Sequence, residues 1–293
     1  VSLATVTPSE LATWSKYIHE ISGIHLDQTK AYLLETRLDS LMQEARCSTF
    51  SELFFRVQSD LTHKFRDKVI DAITTNETSF FRDNSPFDLL RHKLIPELMD
   101  RRNRTGRRAP IRIWSAACST GQEAYSTGIV FKELLGNLSS YDIRILGTDI
   151  SHQAVARASY GQYSRMELER GMPQEKVARF FTPAGEQWKI CDEIRALATF
   201  RTINLLEPFA FPEPFDLIFC RNIAIYFTEP DKLRLFRNIG KCLAKDGSLI
   251  IGSTESITGL CPEFESKRHM RSVFYAWREN GGRSPGARPE LGR

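Results

Sequence analysis

From Ile111 to Ser126 the chain reads IRIWSAACSTGQEAYS. Ile111 to Ser115 is apolar and short, as a buried strand is. Ser115, Ala116, Ala117, Cys118, Ser119, Thr120 and Gly121 are all small, so a ligand can approach the backbone there. A helix follows from about Thr120 to Leu135, and Ser119 with Gln122 has the spacing of a capping box. Strand, tight loop and helix in that order open a Rossmann-like unit. The loop lacks both GxxxxGK[ST] and GxGxxG, so a nucleoside without phosphates fits it better than a nucleotide. Glu123, in the first helical turn, is either an acid that complements the helix dipole or a ligand contact.

Downstream the pattern repeats. DIRILGTDI (Asp142 to Ile150), FDLIFC (Phe215 to Cys220), SLIIGS (Ser248 to Ser253) and SVFYAW (Ser272 to Trp277) read as strands. Helices are expected from about Ser151 and from about Glu229 to Leu243. This alternation predicts an α/β fold, a doubly wound and mostly parallel sheet with helices on both faces. Ligands of such sheets bind at the carboxyl ends of the strands. Asp149 stands at the end of the second strand, where a carboxylate suits ribose hydroxyls; the alternative is a cap for the helix beginning near Ser151. Cys220-Arg221-Asn222, with Tyr226 beyond, place charged and amide groups directly after a core strand. Trp188 to Leu205 is rich in β-formers without a good helix and is expected to be a small antiparallel insertion. The Gly-, Pro- and Arg-rich end from Gly281 to Arg293 is expected to be disordered.

Upstream, the first 75 residues read as four helices. Thr7-Pro8-Ser9-Glu10 supplies a cap, a proline and a capping acid. Leu11, Trp14, Ile18 and Ile21 recur at helical spacing, and Gly23 stops the helix. A second helix is expected from about Gln28 to Ala45, a third after Ser48 or Thr49, and a fourth around Phe65, Val69 and Ile73. TNETSFFRD (Thr75 to Asp83) joins this bundle to a helix opened by Ser85-Pro86-Phe87-Asp88. That helix ends in RRNRTGRR (Arg101 to Arg108). No aromatic residues interleave with its arginines, so a solvated loop is preferred to a nucleic-acid surface.

Composition bounds the rest. With 293 residues, 41% hydrophobic and 26% charged, the chain is an ordinary globular protein of about two domains. Forty Lys plus Arg against 36 Asp plus Glu leave a net charge of +4, too little to argue for nucleic acid. No apolar run is long enough to span a bilayer, so no direct membrane insertion is expected. Val1 to Pro8 has no leader character, and a start without Met reads as trimmed or engineered. None of the six cysteines forms a Cys-x-x-Cys unit. No metal is therefore expected, and free thiols in a cytoplasmic protein are.

Taken together, TNETSFFRD, WSAACSTGQEAYS, LGTDIS, INLLE (Ile203 to Glu207) and FDLIFCRNIAIYF (Phe215 to Phe227) resemble the chemotaxis-receptor glutamate O-methyltransferase family, CheR, over about residues 8 to 278. The resemblance implies a class I methyltransferase. Its expected division is a helical domain over 1–75, a linker and helix over 76–110, a methyltransferase domain over 111–280 with an insertion at about 178–205, and a tail over 281–293. It implies S-adenosylmethionine as cofactor, leaving S-adenosylhomocysteine as product. By matching motif it assigns Asn76, Thr78, Arg82, Glu123, Asp149, Asn204, Leu205, Arg221 and Asn222 to the cofactor. Arg82 and Tyr226 fall beside the transferred methyl. The expected partner is the cytoplasmic helical region of chemoreceptors, and the expected state is a monomer.

Two departures from the family pattern qualify these expectations. The family's second helix is often strongly basic and docks on the acidic methylation region. Here residues 1–75 hold 8 Lys plus Arg against 10 Asp plus Glu. Lys30, Arg37 and Arg46 remain on that helix, diluted by Asp39 and Glu44. Members that bind a receptor's C-terminal tether carry a Gly-x-Gly insertion, which FFTPAGEQWKI (Phe180 to Ile190) lacks, so tether-independent recognition is expected. The competing readings are a class I methyltransferase acting on RNA or a small molecule, and a cofactor-sensing module without turnover.

Overall fold

The computed structural model describes residues 5–106 and 109–278. The tail expected to be disordered from Gly281, and Arg107 and Arg108 of the arginine run, lie outside the described residues. The first four helices are α1 (Pro8–Ser22), α2 (Ala31–Ala45), α3 (Phe50–Ser59) and α4 (Lys64–Ile73). Thr7 and Glu10 close the capping box on α1: each side chain accepts the other's backbone N–H, at 3.3 and 3.0 Å. The second helix starts later than Gln28. Asp27 instead caps a short 3₁₀ turn, Gln28–Lys30, by accepting the Thr29 N–H at 2.9 Å. Trp14, Ile18, Leu34, Leu38, Phe50 and Leu53 form the core of this bundle. The Trp14 indole donates to the Phe50 carbonyl at 3.0 Å, so its buried N–H is satisfied.

After TNETSFFRD come α5 (Ser85–Leu89), a π-helical turn (Leu90–Leu94) and α6 (Ile95–Thr105), one continuous helical rod. The widened turn has a cause in the sequence. Pro96 has no N–H to give to the preceding turn, and the Ile95 N–H reaches back to the Leu90 carbonyl.

The rest of the chain alternates. In order come β1 (Ile111–Ala116), α7 (Gln122–Leu135), β2 (Ile143–Asp149), α8 (His152–Tyr160), β3 (Gln162–Tyr163), α9 (Arg165–Glu169), α10 (Gln174–Phe180), β4 (Phe181–Ala184), β5 (Gln187–Ile190), α11 (Asp192–Arg195), β6 (Ala198–Thr202), β7 (Phe215–Cys220), α12 (Glu229–Cys242), β8 (Leu243–Ile251), β9 (Phe264–His269) and β10 (Ser272–Trp277). The main sheet has the order β6-β2-β1-β7-β8-β10-β9. Its first five strands are parallel, and β10 runs antiparallel to both β8 and β9. This is the doubly wound α/β fold. Period-two alternation divides the strand side chains: Ile113 and Phe219 pack with α5–α7, while Trp114, Ile218 and Cys220 pack with α12. Side chains as buried as Ile113 and Phe219 each contribute roughly 1.5–3 kcal/mol.

Three details differ from the sequence reading. The expected antiparallel insertion over Trp188 to Leu205 divides: β5 joins β3 and β4 in a three-stranded antiparallel sheet, whereas β6 pairs in parallel with β2 in the main sheet. The small sheet also begins earlier, at Gln162, and encloses α9 and α10. Exposed charge hid β9, whose Glu265, Ser266, Lys267 and Arg268 all face solvent.

The arginine run is not simply a solvated loop. Arg102 is 7% exposed and donates to the Pro110 carbonyl at 2.8 Å, to the Ala109 carbonyl, and to Asp216 Oδ2 at 3.1 Å. Asp216, buried at the start of β7, also accepts the Arg112 N–H at 2.9 Å. Arg101 pairs with Asp246 at 2.7 Å. Removing one partner of a buried ion pair strands the other charge. Arg102→Met is therefore expected to lower unfolding stability by about 3–5 kcal/mol in denaturant titration. A loss within error of zero contradicts the pairing.

Candidate active site

The order of the sheet reverses between β1 and β7, and a cleft opens at the carboxyl ends of β1, β2 and β7. Asn76, Thr78, Arg82, Glu123, Asp149, Asn204, Leu205, Arg221, Asn222 and Tyr226 all line it. The helical domain forms the opposite wall through Ser22, His25, Lys30 and Arg37. Several bonds hold that wall in place. His19 meets Asp231 at 2.9 Å, the His25 N–H donates to the Tyr226 carbonyl at 3.1 Å, and Asp71 accepts the Ser151 hydroxyl at 2.7 Å. Gly23 ends α1 in a left-handed conformation at φ 74°, which favours glycine, and lies against Leu206 and Phe227.

Asp149 is 7% exposed. Its Oδ2 accepts the Ser119 N–H at 2.8 Å and its Oδ1 the Ser151 N–H at 3.0 Å. Burial pushes its carboxyl above the usual carboxylate range, and these N–H donors pull in the opposite direction. The helix cap is supplied by Ser151, whose hydroxyl accepts the Ala154 N–H at 3.0 Å. Asp149 is therefore oriented by the two loops it joins and faces the cleft.

The loop after β1 folds differently from a capping box. Ser119 takes a left-handed conformation at φ 51°, and its hydroxyl donates to the Asn76 carbonyl at 3.1 Å. Gly121 occupies the cap position instead. Glu123 is neither a surface acid nor free: its carboxylate accepts Ser115 Oγ at 2.7 Å and Arg221 Nη1 at 3.0 Å. Arg221, with its side chain 3% exposed, also donates to Asp83 Oδ2 at 2.8 Å and to the Arg82 carbonyl at 2.9 Å. Its guanidinium thus joins β7, α7 and the segment between the domains.

Asn204 donates to the Ile21 carbonyl at 3.1 Å and to Glu207 at 3.2 Å, and accepts the Leu206 N–H at 3.1 Å. Leu205 is buried, in the same apolar cluster as Trp114. Arg82 gives one N–H to the Glu77 carbonyl at 3.0 Å. Among the described residues the Tyr226 hydroxyl has no hydrogen-bond partner.

Two features escaped the sequence reading. Glu255, in the loop after β8, accepts the N–H groups of Asn222, Ala224 and Gly252 at 2.8, 2.9 and 2.8 Å. It thereby fixes the turn that carries Tyr226. Gly252 permits this, because a Cβ there would lie 2.5 Å from Glu255 Oε2. The second feature is backbone strain. Of the nine described non-glycine residues with positive φ, six (Phe81, Asp83, Asn84, Ala117, Ser119 and Asn222) belong to loops around the cleft. Arg37 is also reassigned. It donates to the Ile73 and Thr74 carbonyls, both at 2.8 Å, and so is committed to the end of α4 rather than offered to a partner.

The residues present suit S-adenosylmethionine. Small side chains leave backbone accessible beside a buried, oriented carboxylate, and the loop offers no lysine for a phosphate. Among the described residues no group of three or more His, Cys, Asp or Glu gathers to hold a metal, and no helix is long and apolar enough to cross a membrane.

Comparison with known proteins agrees. Residues 9–74 match the CheR methyltransferase all-alpha domain, and residues 76–273 match the CheR methyltransferase SAM-binding domain. "Chemotaxis protein methyltransferase Cher2" of Pseudomonas putida is 36% identical over 264 residues, covering 88% of this chain and 94% of that protein. "Chemotaxis protein methyltransferase 1" of Vibrio cholerae is 35% identical over 276 residues, covering 92% and 98%. "Chemotaxis protein methyltransferase 1" of Pseudomonas aeruginosa is 34% identical over 264 residues, covering 88% and 94%. On these matches the chain belongs to the CheR methyltransferase family and is a methyltransferase that uses S-adenosylmethionine.

Proposed function

We propose that this protein esterifies glutamate side chains on the cytoplasmic helical region of chemoreceptors, making glutamyl methyl esters as part of sensory adaptation. The observation that carries the reading is the cleft itself. It gathers one buried, oriented carboxylate, Asp149, and two groups suited to an anionic acceptor, Arg82 and Tyr226. When bound, S-adenosylmethionine supplies a methyl group on a positively charged sulfur.

The residues of this chain then have distinct tasks. Asp149 receives the ribose hydroxyls, on a strand end that cannot shift because two backbone N–H groups hold it. Arg221 and Glu123 shape the floor by pairing with each other. Tyr226 aims the acceptor through its unpaired hydroxyl, and Arg82 attracts the acceptor carboxylate to the cleft. No general base is needed, because a glutamate carboxyl with a reference pKa of about 4.3 is already ionised at neutral pH. Alignment and exclusion of water are the levers that remain. The helical domain supplies the facing wall of the cleft.

The turn between β4 and β5 supports tether-independent recognition. Ala184 pairs directly with Gln187, leaving only Gly185 and Glu186 between the strands. A receptor C-terminal peptide is therefore expected not to bind at micromolar concentration in calorimetry; saturable micromolar binding contradicts this.

Three further outcomes test the reading. Asp149→Ala is expected to weaken S-adenosylhomocysteine binding by about a hundredfold or more, equal to roughly 2.8 kcal/mol, in calorimetry. Unchanged affinity removes the ribose assignment. Tyr226→Phe is expected to lower kcat by about ten- to a hundredfold with cofactor affinity within about twofold. Lost cofactor binding instead takes Tyr226 out of the aiming role. Labelled methyl transferred to receptor-containing membranes is expected to be released as methanol by base. Stable label, or label in RNA, contradicts a carboxyl ester.

A further inference from the structure

The proposed acceptor is acidic, so the surface that receives it must be positive, yet the helical wall is a poor candidate. The helical domain as a whole, residues 1–75, holds 8 Lys plus Arg against 10 Asp plus Glu. Arg37 is spent on the end of α4, and Lys30 lies 3.4 Å from Asp27.

The opposite rim is different. β8 is parallel to β7 and ends at the cleft side of the sheet, where Gly252 meets Glu255. β10 runs antiparallel to β8, with Tyr275 opposite Leu249 and Ala276 opposite Ser248. The β9–β10 turn, Met270 and Arg271, therefore lies at the same end as Asp149, Arg221 and Tyr226. One bond fixes it there: Ser272 Oγ donates to the Ser85 carbonyl at 2.7 Å, two residues from the Asp83 that Arg221 holds.

This turn is basic and uncommitted. Arg268 and Arg271 are exposed and make no ion pair or side-chain hydrogen bond among the described residues. Lys267, one residue earlier on β9, faces the other side of the sheet, with Glu265 at 3.8 Å, and is not part of this surface. Acids of the adjoining segment are already paired, Asp83 with Arg221 at 2.8 Å and Asp88 with Arg91 at 3.5 Å. Two apolar side chains stand among the cations: Met270 is 70% exposed, and Val273, opposite Arg268, is 40% exposed. Long flexible cations around an adaptable methionine suit an amphipathic acidic surface.

We infer that the β9–β10 turn, through Arg268 and Arg271 with Met270 and Val273, is the docking surface for the acidic helix of the protein acceptor. The inference rests on the glutamate reading above and deepens it. The turn holds the acceptor helix beside the cleft, on the side away from the helical domain, and takes no part in chemistry.

The test is steady-state methylation of a purified cytoplasmic chemoreceptor fragment by the full chain and by the double variant Arg268→Glu/Arg271→Glu, at low and high salt. Melting temperature and S-adenosylhomocysteine affinity are measured alongside, and Arg268→Ala serves as a milder second variant. The double variant is expected to raise KM for the fragment by about tenfold or more at low salt, with kcat within about twofold, and to flatten the salt dependence. Arg46→Glu, at the cap that ends α2, is expected to leave KM within about twofold. If the unaltered chain methylates the fragment and the double variant has the same KM, the docking surface is wrong and the glutamate reading stands. If the unaltered chain methylates no receptor fragment, both fall. A KM raised only for receptors in anionic vesicles, and not for the free fragment, assigns the turn to the lipid surface and overturns the inference.

Discussion

The buried guanidinium of Arg221 is the constraint on which the site depends. It leaves the carboxyl end of β7 and reaches Glu123 at the start of α7, Asp83 in the segment between the domains, and the carbonyl of Arg82. A charge with 3% of its side chain exposed is tolerable only with such partners. Their combined effect is geometric. The central strand, the helix after β1 and the approach to Arg82 are locked together at one point. Residues that would otherwise sit on three independent loops become parts of one rigid surface.

Around that point the backbone is held in conformations that side-chain-bearing residues avoid. Ala117 and Ser119 turn left-handed so that the Ser119 N–H meets Asp149. Asn222 does so beneath the three N–H bonds of Glu255. Each such residue costs of order 1–3 kcal/mol, which the two packed faces of the sheet must offset. The helical domain completes the enclosure, docked through His19, Gly23, His25 and Asp71 rather than joined by a loose linker.

Much of this was legible in the residues. The alternation from Ile111 onward carried the parallel sheet, because buried strands and amphipathic helices leave different periods. The run of small residues after Trp114 and the acid ending ILGTD suggested a nucleoside site by chemistry alone, and the structure brings both to one cleft. Asn76, Thr78 and Asn204 carried no such signal and rested on the family resemblance. Glu255 was invisible because its work is done on backbone N–H groups some thirty residues away, and no side-chain pattern announces that. The strand β9 was hidden by its own position: an edge strand with most side chains in water has no alternation to read. Arg102 looked like one more solvated arginine until Asp216 was found beside it. Composition does not separate β6 from the small sheet, because both are β-rich and differ only in their pairing.

The claim that unites these observations is that the nucleoside lies in the cleft between the helical domain and the sheet, held at the end of β2. A crystal structure of the complex with S-adenosylhomocysteine tests it most directly. The ribose hydroxyls are expected within hydrogen-bonding distance of the Asp149 carboxylate, with the sulfur facing Arg82 and Tyr226. A nucleoside bound elsewhere, with Asp149 still occupied only by its two backbone donors, would contradict it.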